Sequence, residues 1–348
     1  MNASSNFLAV DLKERNVGII FFEATFAIVM NMASFFGNIL VCLAIHRNNR
    51  LHTIPNLFVV SLAISDLFVA VLSMPFSAAI LIAGRWIFDK EYHFCIFLGF
   101  CLFQCGISSL QMLCQIAVNR YFCVVRPNLY RKIYTRKKAK RIIILSWLLV
   151  LSVTIPPLVM NPGQYSFQPG KAMCLYPMEK NKVFTLFLIV FFIVTPMNII
   201  AFGYYKVYKT VNTSGKNFRV KGQQNGHSST VNVEEAKVTR TLAAVVAAFA
   251  ICWLPVGVID FIDVTHGEAI LPRQLYLMYA FLVYLSSTAN PFIYGIFSRT
   301  FRREYRKLLC GRRNLVSSVN DSLSYQGKST VHPASVEWQN SFWILNSS

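Results

Sequence analysis

The chain has 348 residues, 55% of them hydrophobic and only 14% charged, with a formal net charge of +19. So much apolar surface does not fit inside one soluble core, which excludes an ordinary globular enzyme or binding module. Spread over a soluble protein, the positive charge would suggest nucleic acid; its placement along this chain argues against a nucleic-acid partner.

Residues 1–16 are polar and lack the apolar run of a cleavable signal peptide, so they form an expected outer N-terminus. Asn2-Ala3-Ser4 is a glycosylation sequon there, at Asn2. Apolar stretches follow at 17–44, 56–82, 94–118, 142–160, 183–205, 242–259 and 275–297, and five of these seven carry no Asp, Glu, Lys or Arg. Each comes close to or exceeds the roughly 20 residues a helix needs to cross a bilayer. Lipid offers no partners for backbone groups, so each run must close its hydrogen bonds internally as a helix. The expected fold is an all-α membrane bundle of seven helices, spans one to seven.

Lys and Arg gather at 47–50, 126–141, 206–240 and 299–313, in the loops after spans one, three and five and in the tail after span seven. All lie on one side. The positive-inside rule makes that side cytoplasmic and the N-terminus extracellular, as in a multi-pass plasma-membrane protein whose basic face meets anionic lipid. Cys95, atop span three, and Cys174, in the second outer loop, are the cysteines at the outer face. In an oxidising compartment they suit a disulfide, two free thiols being the alternative. The third inner loop, 210–233, is rich in Gly, Ser, Asn and Gln and is expected as a flexible linker. Across 298–310, Phe301, Tyr305, Leu308 and Leu309 recur at helical spacing among basic residues, predicting an amphipathic helix along the inner membrane surface. Cys310 at its end is a palmitoylation candidate. The Ser-rich tail 311–348 is expected to be disordered, with hydroxyls suited to phosphorylation.

Polar groups in mid-membrane are functional candidates because they are costly there. Asp66 in span two can draw on Asn38, Ser109, Ser286, Ser287 and Asn290, either to hold a sodium ion or, as a neutral acid, to glue helices together. Arg120, within Asn119-Arg120-Tyr121 at the inner end of span three, either latches to Glu235 at the base of span six or snorkels to the interface. Pro75, Pro156, Pro157, Pro196, Pro255 and Pro291 lie inside spans and can bend them, which suits a two-state switch.

With Asn38 after Gly37, Asp66, Cys95, Asn119-Arg120-Tyr121, Trp147, Pro196, Trp253 with Pro255 and Asn290-Pro291-Tyr294 in this order, the chain resembles rhodopsin-like G-protein-coupled receptors. The match covers residues 30 to 310. The resemblance implies an extracellular ligand, outward movement of span six and a heterotrimeric G protein bound inside. It makes Arg120 the G-protein contact, Trp253 a toggle, Asp66 with Ser109 and Asn290 a sodium site, and Tyr204 with Tyr294 stabilisers of the active state. It also implies arrestin and a receptor kinase acting on the tail. Asn119, the segment 249–253 and the segment 301–306 most resemble melatonin receptors. The chain departs from them with Pro157 for an asparagine in span four, Phe192 for a histidine, and Asn290-Pro291 for Asn-Ala.

Leu102 stands where aminergic receptors keep an aspartate, which argues against an ammonium ligand, and span seven has no lysine for a retinal Schiff base. The expected pocket wall is Leu102, Gln104, Cys105, Phe192, Trp253, Val256 and Tyr284, with Asp260 and Asp263 near its outer rim. A neutral or weakly polar small molecule, melatonin-like, fits such a wall best, with a peptide second. A transporter would show repeat symmetry and more intramembrane acids, and an intramembrane enzyme a metal cluster or paired aspartates; the sequence offers neither.

Overall fold

The computed structural model describes residues 3–88, 92–160, 165–220 and 226–310, with side chains at 5–88, 93–159, 165–213 and 238–310. Asn2, the Glu235 side chain and the tail 311–348 lie outside the described residues. Within them, seven helices are long and apolar enough to cross a bilayer.

The first element is a helix that the polar N-terminus did not lead us to expect: α1, Ala3–Lys13. Leu8 is buried in a cluster with Met30 and Tyr276, and Leu12 in one with Ala27, Leu81, Ala172 and Leu277. Two leucines one turn apart dock it across the end of the bundle where span one begins. Span one is α2, Val17–Arg47, capped by Asn16, whose side chain accepts the Ile19 N–H at 2.8 Å.

Span two is two helices, α3 (Ile54–Leu72) and α4 (Met74–Ala83), joined at Ser73. Pro75 has no N–H to give the preceding turn, so the first helix stops at Leu72 and the second restarts at Met74. Span three is α5, Tyr92–Val125, followed by α6, Pro127–Ile133, in the inner loop. There Tyr134 stacks on Tyr130, and burial pushes its phenol up to about 12. Span four is α7, Arg136–Met160. Its Trp147 donates to Ser61 of span two at 3.0 Å.

The loop between spans four and five forms a hairpin. Strand β1 (Ser166–Gln168) pairs antiparallel with β2 (Met173–Leu175), with Phe167 opposite Cys174. Cys174 is disulfide-bonded to Cys95, with Cα atoms 5.5 Å apart, and this ties the hairpin to span three. Tyr165 donates to the Thr154 carbonyl at 2.9 Å, and burial raises its phenol, which keeps it a donor.

Span five is α8 (Lys182–Leu188), a π-turn over Ile189–Val194, and α9 (Thr195–Val220). The wide turn lies just before Pro196, whose ring cannot share space with an ordinary preceding turn. Span six lies in α10, Gly226–His266, and span seven is α11, Arg273–Phe297. Helix therefore covers 210–220 and 226–233, all of the described part of the segment expected as a flexible linker, because a nucleated helix propagates into polar sequence cooperatively. The last helix is α12, Arg299–Cys310. It buries Phe301 against Tyr294, rings 5.2 Å apart, and leaves Cys310 exposed.

Apolar side chains that face outward, such as Phe21, Leu148 and Ile251, are exposed where a membrane would cover them. Inside, spans one and seven come close at Gly37, where an added Cβ would lie 2.8 Å from Cγ of Pro291.

Candidate functional site

A cavity of about 530 Å³ opens among spans three, five, six and seven beneath the outer hairpin. Trp253 contributes to its wall, stacked on Phe249 at 5.2 Å, with Gly106 on span three leaving room for the indole. Of the expected wall residues, Leu102, Phe192, Trp253, Val256 and Asp260 line this cavity. Gln104, Cys105 and Tyr284 do not. Each residue of a helix turns by about 100°, so Leu102, Phe103, Gly106 and Leu110 share one face and Gln104 points away from it. Gln104 accepts from Thr154 of span four at 2.6 Å. Cys105 is buried in the cluster with Val69 and Ala70 of span two, and the Tyr284 hydroxyl sits 3.1 Å from Ser73 Oγ.

The outer rim is held by charges that no motif in the sequence marks. The hairpin turn brings Lys171 Nζ to 3.3 Å from Asp260 Oδ1 and 3.9 Å from Asp263 Oδ2. The same ammonium lies 4.1 Å over the Tyr279 ring. Tyr279 donates to Asp260 at 3.2 Å and Tyr276 to Asp263 at 2.5 Å. Asp260, expected to meet a ligand, is thus already engaged by a cation and a phenol. In a second cluster, Glu23 of span one accepts from Arg15 at 2.5 Å and from Arg273 of span seven at 2.7 Å. All three are buried, and Arg15 also donates to the carbonyls of Leu12 and Leu81. This cluster ties α1 to the tops of spans one, two and seven.

Deeper in the bundle, Asn290 Nδ2 donates to Asp66 at 2.8 Å, and the Ser287 hydroxyl lies near the same carboxylate. Ser109 does not reach Asp66 directly; it pairs with Ser65 at 2.9 Å. Asn38 donates to the Ser287 carbonyl at 3.2 Å, which leaves its own Oδ1 without a donor among the described residues. No Lys or Arg pairs with Asp66 among the described residues, so its carboxylate calls for a proton or a small cation. Carboxylate, hydroxyl and amide oxygens together suit a hard monovalent ion.

At the inner end Arg120 is buried, within electrostatic reach of Tyr204. The hydroxyls of Tyr204 and Tyr294 and the amide of Asn119 are buried without hydrogen-bond partners among the described residues. Buried polar groups normally pair, so this group is suited to another arrangement of the same helices. Tyr121 packs outward against Phe122 and Phe202. The proposed latch to Glu235 falls on a side chain that is not described.

The family model described as 7 transmembrane receptor (rhodopsin family) matches residues 37–294. The chain belongs to this family. Among its relatives, the receptor is 30% identical to mouse (Mus musculus) melatonin receptor type 1A over 83% of its own length and 79% of the relative. It is 31% identical to the human (Homo sapiens) histamine H2 receptor over 79% of its length and 76% of that protein. Sheep (Ovis aries) melatonin receptor type 1A is 29% identical over 82% of this chain and 75% of the relative.

Proposed function

We propose that this receptor binds a neutral, largely apolar small molecule of melatonin-like character and passes the signal to a heterotrimeric G protein at its inner face. One observation carries the ligand class. Asp260 is the lone carboxylate among the described residues lining the cavity, and Lys171 already neutralises it. A histamine-like ammonium finds Leu102 on span three and no free anion, and burying it there unpaired is costly. A neutral, largely apolar ligand instead meets a wall built almost wholly of apolar and aromatic side chains, among them Leu102, Phe192, Trp253 and Val256.

The remaining assignments belong to the same reading. The N-terminus faces outward at the plasma membrane, α12 lies on inner-leaflet lipid, and Cys310 is exposed for acylation. Asp66, with Asn290 and neighbouring hydroxyls, would hold a sodium ion that neutralises the carboxylate. Arg120 makes the G-protein contact, Trp253 couples the cavity to span six, and arrestin and a kinase act on the tail. Agonist binding lets Tyr204 and Tyr294 find partners at the inner end.

The test is a cyclic-AMP reporter of inhibitory coupling in cells expressing the receptor, screened with melatonin, related neutral indoles, histamine and peptides. A response to neutral indoles alone supports the proposal. A response confined to histamine or to peptides would overturn it.

A further inference from the structure

The wall of the cavity is incomplete on its lipid side. Val194 and Asn198 on span five, and Leu254, Gly257, Val258 and Phe261 on span six, line it and are also exposed on the outer surface of the bundle. Leu254 is 69% exposed and Phe261 63%, whereas Leu102, Phe192 and Val256 on the inner walls are buried. Positions 194 and 198 form one helical stripe, and 254, 257, 258 and 261 form another. Two such stripes bound a seam roughly 10 Å long, at 1.5 Å rise per residue. Every residue of the seam lies within a membrane-spanning segment, so it faces hydrocarbon. Asn198, the one polar member, turns its amide to the Val194 carbonyl at 2.9 Å and keeps the seam apolar.

The aqueous side is built differently. Leu175, Tyr176 and Met178 of the second outer loop roof the cavity, and the disulfide to Cys95 anchors them. Lys171 bridges Asp260 and Asp263 at the rim, with two tyrosine hydroxyls bonded to the same carboxylates. Passage there requires parting a buried, hydrogen-bonded ion pair. Passage through the seam requires only that apolar side chains such as Leu254 and Phe261 change rotamer.

We propose that the ligand reaches the cavity from the outer leaflet, through the seam between spans five and six. This deepens the reading above, on which it rests, by defining the ligand class as uncharged molecules that partition into the bilayer. A charged molecule or a peptide is excluded by the cost of carrying charge or bare backbone through hydrocarbon.

The test uses the full chain in lipid nanodiscs and a long-chain alcohol bearing a diazirine, dissolved in the bilayer and photoactivated. Labelled residues are located by mass spectrometry. In the unaltered chain the probe labels Phe192 and Met197 within the cavity. Gly257 is the place to plug the seam, because a Cβ added there meets nothing within 4 Å. Gly257→Trp should lower cavity labelling after a brief flash by about ten-fold, the low end of the decades over which association rates vary among variants of one site. Labelling of the lipid-facing Phe21 on span one should stay constant, which reports intact insertion. Val258→Trp obstructs the same seam from an exposed position and should act in the same direction. Cavity labelling indifferent to both tryptophans overturns the route. The melatonin reporter separates the two readings. No response to neutral indoles, with labelling still lost on plugging, sinks the melatonin-like ligand and leaves the seam standing. A response with labelling indifferent to the plugs sinks the seam alone.

Discussion

Replacing Glu23 with leucine removes the acceptor that two buried guanidinium groups share. Glu23 is 6% exposed and Arg273 2%, so neither arginine turns to water without displacing its surroundings. Taking one partner from a buried ion pair costs about 3–5 kcal/mol, most of it the uncompensated charge left behind. Here the low end applies. Arg15 keeps the carbonyls of Leu12 and Leu81, and Arg273 keeps Asp11 at 3.6 Å, a weaker partner because the contact is long and Asp11 is 36% exposed. The loss falls first on the docking of α1, since Arg15 lies just beyond its end. A local opening made easier by about 3 kcal/mol is populated about a hundred-fold more, at 1.4 kcal/mol per factor of ten. Trypsin cleavage after Lys13 should accelerate by that order in purified protein, with denaturant unfolding shifted in the same sense. Glu23→Leu combined with Arg273→Met should be less damaging than the sum of the two, because the second change removes a stranded charge. Unchanged nicking at Lys13, or strict additivity in the double variant, would refute the assignment of this cluster as the clamp on α1.

Gly37→Ala should destabilise the protein by about 1–3 kcal/mol through overpacking, since the new methyl would meet Pro291 at 2.8 Å; an unshifted thermal melt would show that the contact yields freely. Cys174→Ser should cost about 2–4 kcal/mol, because the bond to Cys95 closes a loop across 79 positions. Dithiothreitol should reproduce that loss in the unaltered chain and do nothing further to the variant. Arg120→Ala should abolish receptor-driven guanine-nucleotide exchange while ligand affinity holds, and retained exchange would remove its assigned role. Asp66→Asn should erase any sodium sensitivity of agonist binding; persistent sensitivity would place the ion elsewhere.

The number of spans was written in the sequence because the constraint that produces them is local. A run of apolar residues in lipid has no partner for its backbone but itself, and this holds whatever the neighbouring helices do. Proline acts locally too: the break at Ser73 beside Pro75 and the wide turn before Pro196 occur where the sequence marks them, while the helices holding Pro156, Pro157, Pro255 and Pro291 run unbroken. The pairing of Cys95 with Cys174 follows from topology once the two faces are assigned. Rotation of a helix about its own axis is another matter. Gln104, Cys105 and Tyr284 sit on spans that form the cavity, yet the packing of spans two and four turns them from it.

The charged rim was hidden more deeply. Lys171 and Asp260 are 89 positions apart, and Glu23 and Arg273 are 250 apart. Glu23 breaks an otherwise apolar run and could have been flagged as needing a cation, but nothing in the sequence says which one. Hydropathy and periodicity report what each segment requires of its surroundings. Which distant side chain answers that requirement is decided only when the helices have packed, since burial, not sequence proximity, sets the strength of a charge pair.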